Sequence, residues 1–483
     1  MKQLEKNVAD FFFKNDLCRS SGIVLAVSGG ADSTALMVSI RVLKNSGVFN
    51  GRVLCVHINH CLRGQESDRD ESFVRDLAAQ MKFEFIAERV DVKTYAQKNK
   101  LSIETAARKL RLDALIKNAS KNDILLIATA HHADDNAETI LQRLSRGTGL
   151  RGLCGIWPKK NFADDITFIR PLLSTRREQI ISYLRQGGFS WQNDSTNEQC
   201  EFRRNFIRHK LLPALQSESK APLVEKLEKL SSACRRLMQK VSIQADIFCT
   251  ENLIYENQQA VLKTPGLDRL DRETLIEILR RTLELTGCGL QNISSTHYNR
   301  IIDLIDKSHS GREVELNSRF AVRYEYGQLL FFKKQEKDIT KKTIIESIEL
   351  NIPGTTYFDN YKIDTEIIDR VSFDLGEFYR SKDEFCEIFD FDKLKLPLNI
   401  GPRKGGERFF PLGHAAEKKI GKFLTDQRVS KNIRDISLLL SDQKSVIWLW
   451  PIRISDEYKV TKTTKKLLLV HIKSKRLQAK LIG

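Results

Sequence analysis

Ile23-Val-Leu-Ala-Val-Ser-Gly-Gly-Ala-Asp-Ser-Thr34 joins an unbroken apolar run to a glycine turn and then to residues suited to opening a helix. A run that is apolar throughout, rather than at alternate positions, reads as a strand covered on both faces, as in a parallel sheet. Gly29 and Gly30 let the backbone turn tightly, and the exposed amides where the helix begins form a cradle for phosphate oxygens. Ser28, Gly29, Gly30, Ala31, Asp32 and Ser33 are therefore the expected phosphate-binding residues. A carboxylate at Asp32 would repel that ligand unless a cation lay between them, and Mg²⁺ is the natural choice. The pattern is neither G-x-x-x-x-G-K-[ST], which occurs nowhere in the chain, nor G-x-G-x-x-G.

Outward from this turn, short β-rich runs alternate with helical ones. Strands are expected at Ile23–Val27, Val53–Ile58, Glu84–Val90 and Ile124–Ala130, and helices at Ser33–Leu43, Ser67–Met81, Ser102–Ala119 and Asp134–Ser145. Each helix opens on a Ser or Asp that could cap it. This rhythm specifies an α/β fold, a doubly wound parallel sheet with helices on both faces. A strand order of 3-2-1-4-5 would make the first and fourth strands neighbours where the winding reverses, and ligands bind beyond the carboxyl ends of strands at such a point. The second motif, Thr129-Ala-His-His-Ala-Asp-Asp-Asn-Ala-Glu-Thr139, follows the fourth strand and would meet the glycine turn there. Asp135 and Glu138, three residues apart, share a helix face and could hold a metal together with Asp32. Acids in a first helical turn also complement the helix dipole, which by itself accounts for Asp134 or Asp135. His131 could reach the site or serve as a packed core ring.

The chain has 483 residues, enough for about three domains. Its net charge of +17 and pI near 9.4 favour polyanionic partners, nucleic acid first and an anionic membrane second. No apolar stretch is long enough to span a bilayer, and the start, MKQLEKNVADFFFKNDL, reads as an amphipathic helix rather than a signal peptide. A cytoplasmic protein without a membrane partner is expected, as monomer or homodimer. The nine cysteines include no C-x-x-C, which argues against a disulfide framework and against a metal or cluster site. The expected organisation is a catalytic domain over 1–215, a helical middle domain over 216–340 and a small α+β domain over 341–483. Residues 459–480 are basic and read as a solvated edge or an RNA-facing tail.

The turn Ser28–Ser33 resembles the PP-loop, S-G-G-x-D-S, of ATP pyrophosphatases, which split ATP between its α and β phosphates. Further stretches narrow the resemblance: HINHCLRGQESDRDE from His57, IETAARKLRLDAL from Ile103, LSRGTGLRGLCGI from Leu144, RPLL from Arg170, WQNDSTN from Trp191 with RRNFIRHKLLP from Arg203, and RKGGERFFPLG from Arg403 with KKIGKFLTDQRVSKNIRD from Lys418. Their order is similar to that of the tRNA(Ile)-lysidine synthetase family, closely over about 1–215 and 400–465 and loosely between. Asn59 stands where many members have Asp.

The resemblance implies ATP and Mg²⁺ as cofactors, with an isoleucine tRNA of CAU anticodon and free L-lysine as partners. It implies adenylation of the wobble cytidine, then attack of the lysine ε-amine at C2 with release of AMP. Asp32, Asp135, Glu138 and His131 become the catalytic candidates, with metal ligand, base and lysine anchor left open among them. Arg108, which by itself could be a surface ion-pair partner, is implied to touch ATP or substrate. Basic residues in clusters are the expected tRNA contacts: Arg203, Arg204 and Arg208, then Arg403, Lys404 and Arg408, then Lys418, Lys419, Lys422, Arg428 and Arg434. A tRNA thiolase with the same loop would want paired cysteines. A non-catalytic RNA-binding scaffold would be free to lose the loop or the acids, and all are present.

Overall fold

Residues 22–26 form β1 (Gly22–Ala26), in which Ile23, Val24 and Leu25 are all fully buried. Ile23 and Leu25 face one apolar cluster and Val24 the other, the two-residue period of a strand covered on both sides. The computed structural model that shows this describes residues 1–62, 64–162, 165–192, 205–219, 221–256, 259–290, 293–334 and 346–474. They fall into two compact units, Met1–Ile243 and Gln244–Gly483.

In the first unit β1 lies between β2 (Arg52–Asn59) and β4 (Leu126–Ala128). β3 (Glu84–Arg89) flanks β2, and β6 (Thr167–Ile169) flanks β4. All of these pairings are parallel. The order β3-β2-β1-β4-β6 is the expected winding, with β5 (Lys159–Asn161) added antiparallel at the edge. One face is covered by α1 (Gln3–Lys14), α2 (Ala31–Asn45), α3 (Gln65–Gln80) and, later in the chain, Arg177–Gln186; the other is covered by Ile103–Lys121. In chain order after α3 come α4 (Val92–Asn99), α5 (Ile103–Lys121), α6 (Ala133–Leu144), α7 (Leu150–Leu153), α8 (Arg177–Gln186), α9 (Leu212–Ser217) and α10 (Leu223–Asn252). Among the four expected caps, Ser102 alone accepts a first-turn amide, from Thr105 at 3.2 Å. α2 and α3 start from Gly30 and Gly64, and α6 from His132, so Ser33, Ser67 and Asp134 lie inside the helices they were expected to cap.

The second unit holds α11 (Arg272–Leu285) and α12 (Ser295–Lys307). They pack on an antiparallel sheet of β7 (Leu253–Glu256), β8 (Gln259–Lys263), β9 (Glu313–Glu315), β10 (Phe320–Glu325) and β11 (Gln328–Lys333) in the order 7-8-11-10-9. The expected helices are there. The sheet was not anticipated, because its strands are only three to six residues long, whereas α10 displays its apolar spacing over thirty residues. Beyond residue 346 two further antiparallel sheets share a core containing Trp448, Trp450, Leu468 and Ile472. Lys466–Ser474 is an inner strand of one of them, paired on both sides, so this part of the basic end is core structure rather than tail. Among the described residues no helix is long and apolar enough to cross a membrane.

Candidate active site

The turn after β1 is shaped by its own side chains. Val27 still donates to Val56 of β2, and Gly29 then takes φ +89°, where any side chain would be strained. A Cβ on Gly29 would meet Val74 at 3.4 Å and Phe73 at 3.6 Å, ordinary contacts, so the backbone conformation and not space is what calls for glycine. Ser33 Oγ accepts from the Ser28 amide at 3.2 Å and donates to the Gly30 carbonyl at 3.0 Å, closing the turn. The first intrahelical bond of α2 is made by Thr34 to Gly30. The amides of Ala31, Asp32 and Ser33 therefore precede the hydrogen-bond ladder and remain donors for an anion.

Thr129 donates its amide to Ile169 of β6, and the chain then turns into α6. Here His132 enters the site. His132 caps α6: its amide donates to Asp135 Oδ2 at 3.1 Å, and its Nδ1 accepts from the Asp135 amide at 3.4 Å. The ring is 1% exposed, with Nε2 lying 3.7 Å from Asp32 Oδ2 and 3.4 Å from Asp135 Oδ2. One buried imidazole thus joins the glycine turn to the acidic helix. Burial disfavours its charged form, but Asp134, Asp135 and Asp32 together raise its pKa above the ordinary value. His131 is half-buried and its Nδ1 meets Thr129 Oγ1 at 2.9 Å. Only the position of His132, directly before the first acidic turn, could have marked it in the sequence.

Asp32 has one buried oxygen, Oδ1, with no hydrogen-bond partner. Burial raises its pKa most, with Asp135 adding to the effect against the pull of His132, Arg177 and Arg208. Glu138 is the more enclosed acid, at 2% exposure of its side chain, and Arg208 grips both its oxygens: Nε lies 2.6 Å from Oε1 and Nη2 3.2 Å from Oε2. The same Nη2 is 3.5 Å from Asp135 Oδ1. Arg208, expected on the tRNA surface, is therefore a site residue, carried there by a π-helical turn at Ile207–Leu211. Among the described residues no three acids, histidines or cysteines are grouped closely enough to cage a cation. Glu138 is engaged by a guanidinium, while Asp32, with its unpartnered buried oxygen and Asp135 across the His132 ring, fits Mg²⁺. That ion takes one or two carboxylates and completes its shell with water and phosphate.

Asp134 Oδ2 lies 3.6 Å from His132 Nδ1, and the carboxylate also accepts from Arg176 Nε at 3.2 Å and from the amide of Arg177, the first residue of α8, at 2.8 Å. Although burial opposes ionisation, His132, that amide and Arg176 hold its carboxyl well below the usual range. Arg177 itself brings Nη1 within 3.7 Å of Asp32. Neither Arg176 nor Arg177 was singled out in the sequence. Arg108 lies exposed on α5. Asn59 is 2% exposed and donates to Glu71 at 3.0 Å and Asp68 at 3.3 Å. An aspartate there would face two carboxylates, so the departure from the family pattern is matched by its neighbours.

Of the basic residues expected to bind tRNA, Arg203 and Arg204 lie outside the described residues. In the second unit Arg434 donates to the carbonyls of Val429 and Leu424 and to the Tyr326 hydroxyl, and Arg403 donates to the Arg434 carbonyl; both brace the fold. Arg408 pairs with Glu417 at 2.6 Å. The strand Arg408–Phe409 pairs with Lys418–Lys419, which sets Arg408 opposite Lys419. Lys404, Lys419, Lys422 and Arg428 are exposed, and Lys418 is half-buried.

Residues 1–215 match the PP-loop domain, and residues 398–471 match the TilS substrate C-terminal domain. Curated proteins are similar over nearly the whole length. The tRNA(Ile)-lysidine synthase of Clostridium tetani is 29% identical, covering 96% of each chain. That of Caldanaerobacter subterraneus is 30% identical, covering 94% of each. Among these relatives is also the tRNA(Ile)-lysidine synthase of Geobacter sulfurreducens, 28% identical over 94% of each chain.

Proposed function

The chain belongs to the tRNA(Ile)-lysidine synthase family, a family of PP-loop ATP-dependent ligases, and from that premise we propose that it joins free L-lysine to the wobble cytidine of the CAU-anticodon isoleucine tRNA. The cytidine O2 attacks the α-phosphorus of ATP and pyrophosphate leaves. The lysine ε-amine then adds at C2 and expels AMP, so that the tRNA reads AUA in place of AUG. The observation that carries the proposal is the convergence of the amide cradle, the unpartnered Asp32 oxygen and Asp135 around one buried imidazole.

In this reading the amides of Ala31–Ser33 hold the departing pyrophosphate, and Asp32 with Asp135 would hold Mg²⁺, which neutralises phosphate charge when bound. His132 fixes the separation of those two acids. The amine must shed a proton, a cost of roughly 4.6 kcal/mol at pH 7 from a reference pKa near 10.4, and the carboxylates of Asp135 and Glu138 are the acceptors the site offers. Arg208, lying on both, orients them. A stacked base exposes neither O2 nor C2, so the unpaired anticodon nucleotide must turn outward to enter. Residues 1–215 would carry the chemistry, with 216–340 and 341–483 binding the rest of the tRNA. Lys404, Lys418, Lys419, Lys422 and Arg428 would supply the phosphate contacts. Incubation with ATP, Mg²⁺, lysine and unmodified CAU-anticodon tRNA tests this: lysine incorporation accompanied by lysine-dependent AMP release is expected. The absence of both removes the reading.

A further inference from the structure

α8 turns one side to the core and leaves the other to solvent. Ile180, Tyr183 and Leu184 are buried in the cluster that also holds residues of α1 and α2. Arg177, Glu178, Ile181, Ser182, Arg185 and Gln186 line a groove of about 490 Å³. The groove starts at the active site, because the Arg177 side chain that lines it also brings Nη1 within 3.7 Å of Asp32 Oδ2. Arg185 stands eight residues further along, about 12 Å away at a rise of about 1.5 Å per residue. It is exposed, and its side chain makes no hydrogen bond or ion pair among the described residues. Between the two arginines lies Ile181, half-buried. Glu178, the one acid of the described lining, faces Arg176 at 3.7 Å.

A small anion could meet only one of these guanidinia at a time. Two of them about 12 Å apart suit an anion that repeats, and a stacked nucleic acid strand advances about 3.4 Å per nucleotide, so the span covers about three to four phosphates. Arginine forks match phosphate oxygens, and the apolar surface of Ile181 between them can pack on a ribose or a base. Since the groove runs into the place where the cytidine must enter, the strand that fits it is the one carrying that cytidine.

We propose that the Arg177–Ile181–Arg185 face of α8 is the track on which the anticodon arm of the tRNA lays its backbone. Arg177 meets the phosphates beside the outturned cytidine, and Arg185 meets those a few nucleotides away. The proposal rests on the function proposed above and adds to it the surface that holds the RNA next to the reacting base.

The test uses the full chain, the variants Arg185→Gln, Arg185→Lys and Arg177→Gln, and an RNA hairpin consisting of the CAU anticodon stem and loop alone. Hairpin binding is measured across a KCl series, and binding of a non-hydrolysable ATP analogue is measured without RNA. Loss of one phosphate contact predicts a log–log salt slope shallower by about 0.7 to 0.9 in Arg185→Gln, retained in Arg185→Lys, with analogue affinity unchanged in both. Arg177→Gln should flatten the slope by a similar amount. Because the Arg185 side chain bonds nothing and lies about two helical turns from Arg177, Arg185→Gln reports on the groove with the fold and the ATP site intact. An unchanged hairpin slope in Arg185→Gln overturns the proposal, as does failure of the unaltered protein to bind the hairpin. A loss confined to analogue binding in Arg177→Gln also overturns it, by assigning the head of the groove to the nucleotide. Lysine incorporation into full-length tRNA is scored separately: the predicted slope change without lysine incorporation would remove the proposed reaction and leave the RNA track standing.

Discussion

Asp32 Oδ1 is buried beside a phosphate cradle with no protein group to bond it, and burial already works against its ionisation. A residue held this way is costly to a fold and useful to a ligand. Asp32→Ala should relieve that tension, leaving thermal stability equal or higher, while lysine incorporation falls by roughly 10² to 10³, as for loss of one preorganised electrostatic interaction. Its tRNA affinity should stay near that of the unaltered protein in a filter-binding assay; a variant with full turnover would show that Asp32 does not serve the metal. Glu138 illustrates the opposite arrangement. It is as deeply placed as any acid in the site, yet its charge is met by the Arg208 fork.

α6 is positioned by the residues between its catalytic candidates. Asn136, lying between Asp135 and Glu138, donates to Glu228 at 2.7 Å and Ser231 at 3.2 Å on α10 and accepts from the Ile156 amide at 2.7 Å. Glu228 is held in turn by Arg235, which also donates to the carbonyls of Cys154 and Ile156. These bonds fix the rotation of α6 and with it the direction of its acids. At the other end Asp134 ties α6 to the start of α8, a carboxylate at a helix N-terminus where the dipole favours it. Because the folded state holds Asp134 below its ordinary pKa, near 3.9, the stability it contributes is present above that value and lost as pH falls through the folded pKa. Asp134→Asn should therefore lower the melting midpoint at neutral pH and flatten its fall below about pH 4. Melting curves from pH 6 downward check this, and a parallel acid-side decline in both proteins would contradict it.

Across the whole molecule the excess of basic charge is general, but its use differs from place to place. Arg403 and Arg434 support backbone carbonyls, Arg208 lies in the active site, and Lys404 and Lys419 are exposed near a short hairpin. Charge reversal at Lys404 and Lys419 should weaken tRNA binding and flatten its salt slope by about 0.7 to 0.9 for each phosphate left unneutralised, with ATP-analogue affinity unchanged. A slope identical to that of the unaltered protein would place the RNA elsewhere.

The doubly wound sheet, the glycine turn after β1 and the acidic start of α6 were legible in the chain alone, while the strand order was there only as a condition that the pairing β3-β2-β1-β4-β6 meets. Those features are local: an apolar run, a required positive φ and a first helical turn each impose their geometry within a few residues. Even so, the middle sheet stayed hidden, since its strands β7–β11 are short and their pairings span up to about seventy residues of intervening chain. Tertiary structure alone decided which charges meet. His132 became the hinge of the site because β1 and β4 are neighbours, and Arg208 reached Glu138 across seventy residues of sequence. Spacing along a chain carries no record of such distances, because ion pairing depends on where folded elements end rather than on the order in which they are written.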